Sequence, residues 1–190
     1  MKERGQQMTY TKNKNLSYPE KEAYLYIRQQ FADQGITIKE MAREAKEDQD
    51  KHHGITASLE TYIKAIEHQL HKHDVMSIIM TGITIDRLAE KKMLPSPLQA
   101  IVENDLPLYS TDELLSIALT QMYSGIAVTN YGSRDVTKKK LAKRIDESKT
   151  HVNCFLDDIV SAIIAGAEAA VANKLQENKA SFTDIDKKFE

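Results

Sequence analysis

The sequence predicts an all-α protein, a single multihelical domain with seven to eight helices around apolar central helices. Apolar residues recur along the chain at the i, i+3, i+4 spacing of a helix, whereas no stretch sustains the period-two alternation of a half-buried strand. The chain contains only 7 glycines and 4 prolines, which is few for a loop-rich protein. Its 190 residues suffice for one domain with a sizeable core but not for two full-sized domains.

The predicted domain spans residues 17–176. Residues 1–16 carry few large apolar side chains, so we expect them to form a flexible N-terminal arm. Residues 177–190 are polar and are expected to form a C-terminal tail.

Capping boxes mark three helix starts. In a capping box, a Ser or Thr and a Glu three residues later satisfy each other's free backbone N–H groups. The three boxes are Ser17–Glu20, Thr37–Glu40 and Ser110–Glu113. The first, with Pro19 in its first turn, predicts a helix that ends near Gly35, and the second predicts a helix that ends near Asp50. Both helices have the pattern of amphipathic cover over a core.

The middle of the chain predicts three further helices, each of which begins at a residue type favoured at helix starts. They run from Thr56 or Ser58 to about His71, from Asp74 to about Met93, and from Pro97 through Val102. In the last third, Asp135 is expected to cap a basic helix through Arg144, and a final helix ends near Leu175.

Three predicted helices are apolar on more than one side, which is typical of helices that pack against several neighbours. They are 75–88, 114–128 and 159–172. We expect these three to form the core. Helices this apolar in a small chain also predict a homo-oligomer, because excess apolar surface needs a partner.

Composition narrows the classes of partner. The net charge of −2 and the pI near 6.3 provide no field that would attract nucleic acid, so no nucleic-acid partner is expected. Cys154 is the single cysteine, which excludes intramolecular disulfides and agrees with a cytoplasmic location. Every apolar stretch is shorter than the roughly 20 residues that a transmembrane helix requires. We therefore expect a soluble protein whose contact with any membrane would be peripheral.

Asp157 and Asp158 are the most informative residues in the chain. They stand at the head of the segment 159–172, whose only ionisable side chain is Glu168. A helix of that kind is normally surrounded by protein, so both carboxylates point toward an interior. An ionised carboxylate there needs a cation, a metal or backbone donors to compensate for its lost hydration. On residue type alone, helix capping and a functional site both satisfy this requirement.

The other predicted core helices also carry carboxylates, namely Asp86 on the first and Asp112 with Glu113 on the second. If these groups converge with Asp157 and Asp158, they form an oxygen-rich site that suits Mg²⁺. Simpler explanations stand beside this one. Glu113 belongs to a capping box, Asp112 lies in a first turn, and Asp86 could pair near Arg87 or face solvent.

Asp135 and Lys138 lie three residues apart, shortly after Asn130. On a helix they would share one end, with a carboxylate for a metal and an ammonium for a phosphate. On spacing alone, a helix cap and a solvated lysine are the simpler explanation of this pair. His151, six residues before Asp157, is a further candidate as a phosphate contact or proton donor.

Three segments together resemble the phosphatidylglycerophosphatase A family. Residues 155–162 resemble its C-terminal signature, an Asp-Asp pair followed by an apolar helix of small residues. Residues 109–114 are similar to its Asp-Glu element, and residues 130–138 to its Asp-x-x-Lys element. The resemblance covers roughly residues 35–175 and is nearer to a short soluble branch found in Gram-positive bacteria. One departure is that Gly132 stands where the family has an arginine.

The resemblance implies an all-helical phosphatase that uses Mg²⁺, or Mn²⁺, to hydrolyse phosphatidylglycerophosphate to phosphatidylglycerol and phosphate. Its implied metal ligands are Asp157, Asp158, Asp112, Glu113 and Asp135. On this hypothesis the catalytic residues are Asp157, Asp158 and His151, and the substrate contacts are Lys138, Asn130 and Asp86. Two alternatives stay open, a soluble phosphatase of a small phosphoester and a non-catalytic helical oligomeric or binding protein linked to cold adaptation.

Overall fold

The structure, a computed structural model, describes residues 12–52, 55–107, 109–138 and 140–177. Nine helices make up this part of the chain, which contains no strand, so the predicted all-α fold is confirmed. The helices are α1 (Glu20–Asp33), α2 (Ile38–His52), α3 (Leu59–Leu70), α4 (His73–Glu90), α5 (Leu98–Glu103), α6 (Thr111–Gln121), α7 (Gly125–Thr137), α8 (Lys140–Asp146) and α9 (Leu156–Glu177). Most of the expected arm, residues 1–11, and the expected tail from residue 178 onward lie outside the described residues.

Helix α9 forms the centre of the fold. Every residue from Leu156 to Ala169 is buried, and the helix contacts α2, α3, α4, α6, α7 and α8. Full burial of one Ile or Val side chain stabilises the fold by about 1.5–3 kcal/mol. Ile159, Ile163 and Ile164 are all fully buried, so this helix supplies a large share of the driving force for folding.

Helix α4 reaches α9 through Gly82. A Cβ atom at this position would lie only 2.5 Å from Ile159 Cδ1 and 3.0 Å from Phe155 Cβ. The two helices therefore approach more closely than any side chain at residue 82 would permit. This contact brings the C-terminal half of α4, with Asp86, alongside the start of α9.

The helix starts agree with the sequence at two of the predicted caps. Glu40 N donates to Thr37 Oγ1 at 3.1 Å, and Thr61 N donates to Ser58 Oγ at 3.2 Å. Gly35, with φ of +64°, ends α1 where expected.

The two other predicted capping boxes are wrong in detail. Helix α1 begins after Pro19, and Ser17 is not its cap. Ser110 adopts a left-handed backbone with φ of 56° and makes no capping bond. Asp74 lies in the first turn of α4, one residue inside the helix, and Lys72 occupies the cap position.

The predicted core helix 114–128 is two helices. Helix α6 ends at Gln121, Ser124 is extended, and α7 begins at Gly125. The apolar pattern runs on across this short turn, which is why periodicity alone joined the two helices. Helices α6 and α7 form a helical hairpin, and its outer side does not belong to the core, because Leu114 is 62% exposed. This break raises the helix count to nine among the described residues.

The predicted cap at Asp135 is also wrong. Asp135 lies in the last turn of α7, which ends at Thr137, and α8 begins only at Lys140. Lys138 forms the break with a left-handed φ of 29°. Its ammonium is held by carboxylates of two other segments, which compensates for a backbone conformation that lysine rarely adopts.

The close approach at Gly82 predicts a large cost for the smallest side chain. Gly82→Ala should lower the free energy of unfolding by about 1–3 kcal/mol through overpacking. Gly132→Ala is the control, since its Cβ would meet nothing within 4 Å. That control should gain about 0.5–1 kcal/mol from helix propensity. Urea denaturation measures both, and equal effects of the two variants would contradict the proposed helix contact.

Candidate metal centre

Asp86 caps the N-terminus of α9 from inside the core. Its carboxylate accepts the backbone N–H of Phe155 at 3.2 Å and that of Leu156 at 3.1 Å. Burial raises the pKa of Asp86 well above its usual value, and these N–H bonds offset the rise only in part. The side chain is fully buried. Asp86 is therefore placed as a helix cap and not as a substrate contact, and it does not face solvent.

Asp157 and Asp158 follow in the first turn of α9 and are 3% and 4% exposed. Lys138 Nζ donates to Asp157 Oδ2 at 2.8 Å and to Asp146 Oδ1 at 3.0 Å. Burial raises the pKa of Asp157, and Lys138 counteracts that rise. Burial would lower the pKa of Lys138, but the two carboxylates raise it above its usual value. Lysine and aspartate therefore form a tightly bound ion pair.

Asp158 has no such partner among the described residues. Burial raises its pKa first, and the negative charges of Asp157, Asp135 and Asp112 raise it further. The free N–H groups just ahead of this turn are already taken by Asp86. Capping therefore does not account for Asp158, and the alternative of a ligand site gains support.

The start of α6 adds two further carboxylates. Asp112 Oδ1 and Glu113 Oε2 are buried oxygens that have no hydrogen-bond partner among the residues the structure describes. Burial, followed by the neighbouring Asp112, raises the pKa of Glu113 to about 7. A buried carboxylate oxygen that no protein donor reaches is costly, so these two oxygens are available as ligands for a cation.

These groups line one pocket of about 180 Å³ between α6, α7 and the start of α9. Its walls contain five carboxylates and one cation, Lys138. The carboxylates are Asp105, Asp112, Glu113, Asp135 and Asp158. Four of the five predicted metal ligands thus meet at the pocket, and Asp157 lies directly behind its lysine. Hard cations such as Mg²⁺ and Mn²⁺ prefer carboxylate oxygens, so this donor set fits them.

Asp105 was not among the predicted site residues. It lies in the loop between α5 and α6 with a left-handed φ of 45°. Ligand atoms of Asp105, Asp112 and Cys154 lie within 4.8 Å of one another. The Cys154 thiol donates to Asp112 Oδ2 at 3.7 Å, and burial raises the pKa of this thiol, which keeps it a donor. An aspartate in a turn is too common a signal to have been selected from the sequence.

His151 lies outside the acidic pocket. Its Nδ1 lies 3.0 Å from Glu90 Oε1 and 3.1 Å from Arg87 Nη1. Arg87 also donates to the carbonyl of Val152 and to Asn153. The histidine thus helps to anchor the loop before α9 onto α4. The structure places it there and not at the phosphate position that the sequence indicated.

Asn130 is also placed elsewhere. Its amide donates to Glu168 Oε2 at 2.7 Å, inside a buried charge network centred on Arg134. Arg134 donates to Glu168, to Glu44 and to Asp48 at 2.5, 2.8 and 2.7 Å. Burial raises the pKa of Glu168, and Arg134 offsets that rise. Asn130 therefore supports the interior and does not contact the pocket.

The same network sets the rotation of α7. Arg134 points inward to α2 and α9, and Asp135 follows it by the 100° step of a helix, which turns its side chain toward the pocket. The arginine beside the Asp-x-x-Lys element is thus committed to structure. Lys138 is the only cation that the pocket-lining residues supply.

No helix in the described ranges is long and apolar enough to span a bilayer.

Comparisons with known proteins identify close relatives. A family model described as phosphatidylglycerophosphatase A matches residues 49–173, a range that contains every carboxylate of the pocket. The uncharacterized protein YpjQ of Bacillus subtilis is 36% identical over 143 residues, which cover 75% of this chain and 80% of YpjQ. The crystal structure of YpjQ matches at a TM-score of 0.78 and 34% identity, covering 84% of this chain and 99% of that chain. The low temperature requirement C protein of Listeria monocytogenes matches at a TM-score of 0.74 and 33% identity, covering 81% and 97%.

The buried network predicts a strong dependence of stability on Arg134. Arg134→Met should lower the free energy of unfolding by about 3–5 kcal/mol, because it leaves buried carboxylates without their cation. Lys140→Met is the control, since its exposed ion pair with Glu47 should be worth about 1 kcal/mol or less. Urea denaturation compares the two. A similar small loss in both variants would show that the network is not stabilising.

Proposed function

Since the chain belongs to the phosphatidylglycerophosphatase A family, we propose that it is a Mg²⁺-dependent phosphatase that hydrolyses phosphatidylglycerophosphate to phosphatidylglycerol and phosphate. The observation that carries this proposal is the acidic pocket at the start of α9. Five carboxylates from four separate segments line it beside a single lysine. Clustering this many carboxylates with one lysine costs free energy, because the negative charges repel one another and lose hydration. A bound divalent cation would offset that cost.

The cation would be held by Asp158, Asp112, Glu113 and Asp135. The buried oxygens Asp112 Oδ1 and Glu113 Oε2 support this assignment because they have no hydrogen-bond partner in the described protein. When bound, Mg²⁺ would supply Lewis-acid polarisation of the phosphoryl group. Mn²⁺ prefers the same oxygen ligands and serves as a probe of the site.

Lys138 is the proposed phosphate contact. Its ammonium lies on the pocket wall, fixed from behind by Asp157 and Asp146. An ammonium held in this way binds phosphate oxygens as a point charge and needs little reorganisation when the substrate enters. Asp157 then acts by orienting the lysine as well as by adding charge near the cation.

Exposed apolar residues beside the pocket favour a lipid substrate. Leu106 lines the pocket and is 44% exposed. Leu114 and Val136 directly follow the pocket residues Glu113 and Asp135 and are 62% and 85% exposed. Apolar groups that surround a polar site suit an enzyme that takes a phosphate headgroup from a bilayer surface. We therefore propose peripheral contact with the membrane at this edge.

Two other properties stay predictions. A cytoplasmic location follows from the cysteine content and can be checked by cell fractionation. The homo-oligomer expected from the apolar helices can be checked by sedimentation of the purified protein. A role in growth at low temperature, as named for the Listeria relative, is compatible with a change in membrane lipid composition.

The pocket predicts that Asp158 is needed for cation binding. Asp158→Asn should lower Mn²⁺ affinity by more than about 100-fold, which is the upper end of the loss when a residue that only hydrogen-bonds to a metal ligand is removed. The variant should also have no phosphatase turnover. Without cation, the variant should unfold at a urea concentration no lower than that of the unmodified protein, because a neutral amide replaces a buried carboxylate that no cation compensates. Calorimetry with Mn²⁺, urea denaturation and phosphate release measure the three effects.

Asp74→Asn is the matched control. Asp74 is an exposed acid in the first turn of α4, about 18 Å along that helix from Asp86 at 1.5 Å per residue. Its variant should keep both cation affinity and turnover. Full activity of Asp158→Asn would reject the proposed site.

The apolar edge predicts a difference between lipid and soluble substrates. Burial of a Leu or Val side chain is worth about 1.5–3 kcal/mol. If half of that applies at the bilayer interface, replacing Leu114 and Val136 by the neutral residue Asn should weaken vesicle binding and lipid turnover at least roughly tenfold. Hydrolysis of soluble glycerol 3-phosphate should be unchanged. Leu25→Asn, at an exposed site on α1, is the control.

Activity on soluble substrates alone would favour a phosphatase of a small phosphoester. No activity on either substrate, in a protein that binds Mn²⁺, would favour a non-catalytic binding role.

A further inference from the structure

Two buried hydroxyl groups beneath the acidic pocket have no hydrogen-bond partner in the described ranges of the chain. They are Ser116 Oγ on α6, which is fully buried, and the Tyr131 hydroxyl on α7, whose residue is 2% exposed. A buried hydroxyl without a partner costs about 1–3 kcal/mol. A role in the adjacent pocket would explain why the protein has two such hydroxyls here in spite of this cost.

Both residues lie on the pocket side of their helices. Ser116 follows Asp112 by four residues and Glu113 by three, and Tyr131 precedes Asp135 by four. Residues at these spacings are neighbours on one helix face. The carboxylates thus form an upper layer of the site, and the two hydroxyls lie one helical turn below it.

The two hydroxyls are also near each other and near Asp158. Burial raises the pKa of Tyr131, and the charges of Asp158 and Asp135 raise it further. Together with the helix spacing, the influence of Asp158 on Tyr131 places the phenol on the side of α7 that faces this carboxylate, although its hydroxyl makes no hydrogen bond to any described residue. Hydrogen bonds within catalytic sites are often long in the free protein and tighten when the site is filled.

We propose that the hydroxyls of Tyr131 and Ser116 form a second layer that orients Asp158 as a cation ligand. This proposal rests on the proposed function. One oxygen of Asp158 would face the cation, and the other would accept the Tyr131 O–H group. The Tyr131 oxygen would in turn accept the Ser116 O–H group. Both are positioning residues, since they would act only through Asp158.

Outer-layer partners of this kind typically contribute 10–100-fold to metal affinity. A phenol that donates to a ligand carboxylate fixes which oxygen faces the cation, and a serine behind it fixes the phenol. The chain therefore has two adjacent helices committed to one carboxylate, α6 through Ser116 and α7 through Tyr131.

The test uses Tyr131→Phe and Ser116→Ala in the full chain, with Mn²⁺ as the probe. Tyr131→Phe should lower Mn²⁺ affinity by about 10–100-fold, and Ser116→Ala should lower it by less. Urea denaturation without cation should show no loss of stability for Tyr131→Phe, because removal of an unpartnered hydroxyl is neutral or stabilising. Calorimetry and denaturation thus separate orientation of the ligand from support of the fold.

Tyr62→Phe is the matched control. Tyr62 is fully buried and its hydroxyl also has no partner in the described part of the chain, but it lies on α3, which contributes no residue to the pocket wall, whereas α6 and α7 both do. Its variant should bind Mn²⁺ as the unmodified protein does. An equal loss of affinity in Tyr62→Phe would overturn the proposal, since the effect would then come from the core in general.

Two further outcomes would also overturn it. Unchanged Mn²⁺ affinity in Tyr131→Phe, beside clear binding by the unmodified protein, would reject the second layer and leave the carboxylate site standing. A loss of stability without cation as large as the loss of binding energy would assign the hydroxyl to the fold. Absence of Mn²⁺ binding in the unmodified protein would reject the proposed function together with this inference.

Discussion

The burial of α9 is the constraint on which the rest of the structure depends. A helix that is apolar on every side is stable only when other helices surround it, and six of the described helices contact α9. Its N-terminus therefore opens into the protein interior, where free backbone N–H groups cannot reach water. Asp86 of α4 meets that need, and the glycine contact at residue 82 brings α4 close enough for it to do so.

Charges that enter this interior are compensated locally. Lys138 pairs with Asp157 at the head of α9, and Arg134 pairs with Glu168 farther along it. Both cations come from α7 or from the residue that ends it, so two ion pairs fix the position of α7 against α9. Asp158 lies between these two compensated regions without a cation of its own among the described residues. The imbalance is confined to the pocket, which is why the pocket and not the networks suits a divalent cation.

The helical hairpin of α6 and α7 gives the site its depth. Its outer layer presents carboxylates to the pocket, and its inner layer presents hydroxyls to those carboxylates. An apolar outer surface beside the same end of the hairpin faces solvent, next to the position where a phosphate headgroup would enter. Neighbouring turns of two helices thus carry the proposed cation ligands, the proposed phosphate lysine and the apolar edge. This arrangement is consistent with hydrolysis of a phosphorylated lipid at a membrane surface.

Local periodicity and the cost of burying charge were enough to predict the helical class, the burial of the last helix and the interior position of Asp157 and Asp158. The order of the family elements around Asp112 and Asp135 could also be predicted from the sequence. The turn between α6 and α7 and the start of α8 were not, since no proline marks either break and the apolar pattern continues through the first.

The partners of each polar residue depend on how the helices pack against one another. Asp86 and Asp158 are both buried acids, yet one caps a helix and the other faces the pocket, according to the neighbours that α4 and α9 meet. Arg134 and Asp135 are adjacent in the chain, yet one is internal and the other lines the site. Local sequence places a side chain on a helix, but the rotation of that helix and the groups packed against it set its partners. Those partners come from residues tens of positions away, so no local pattern could have named them.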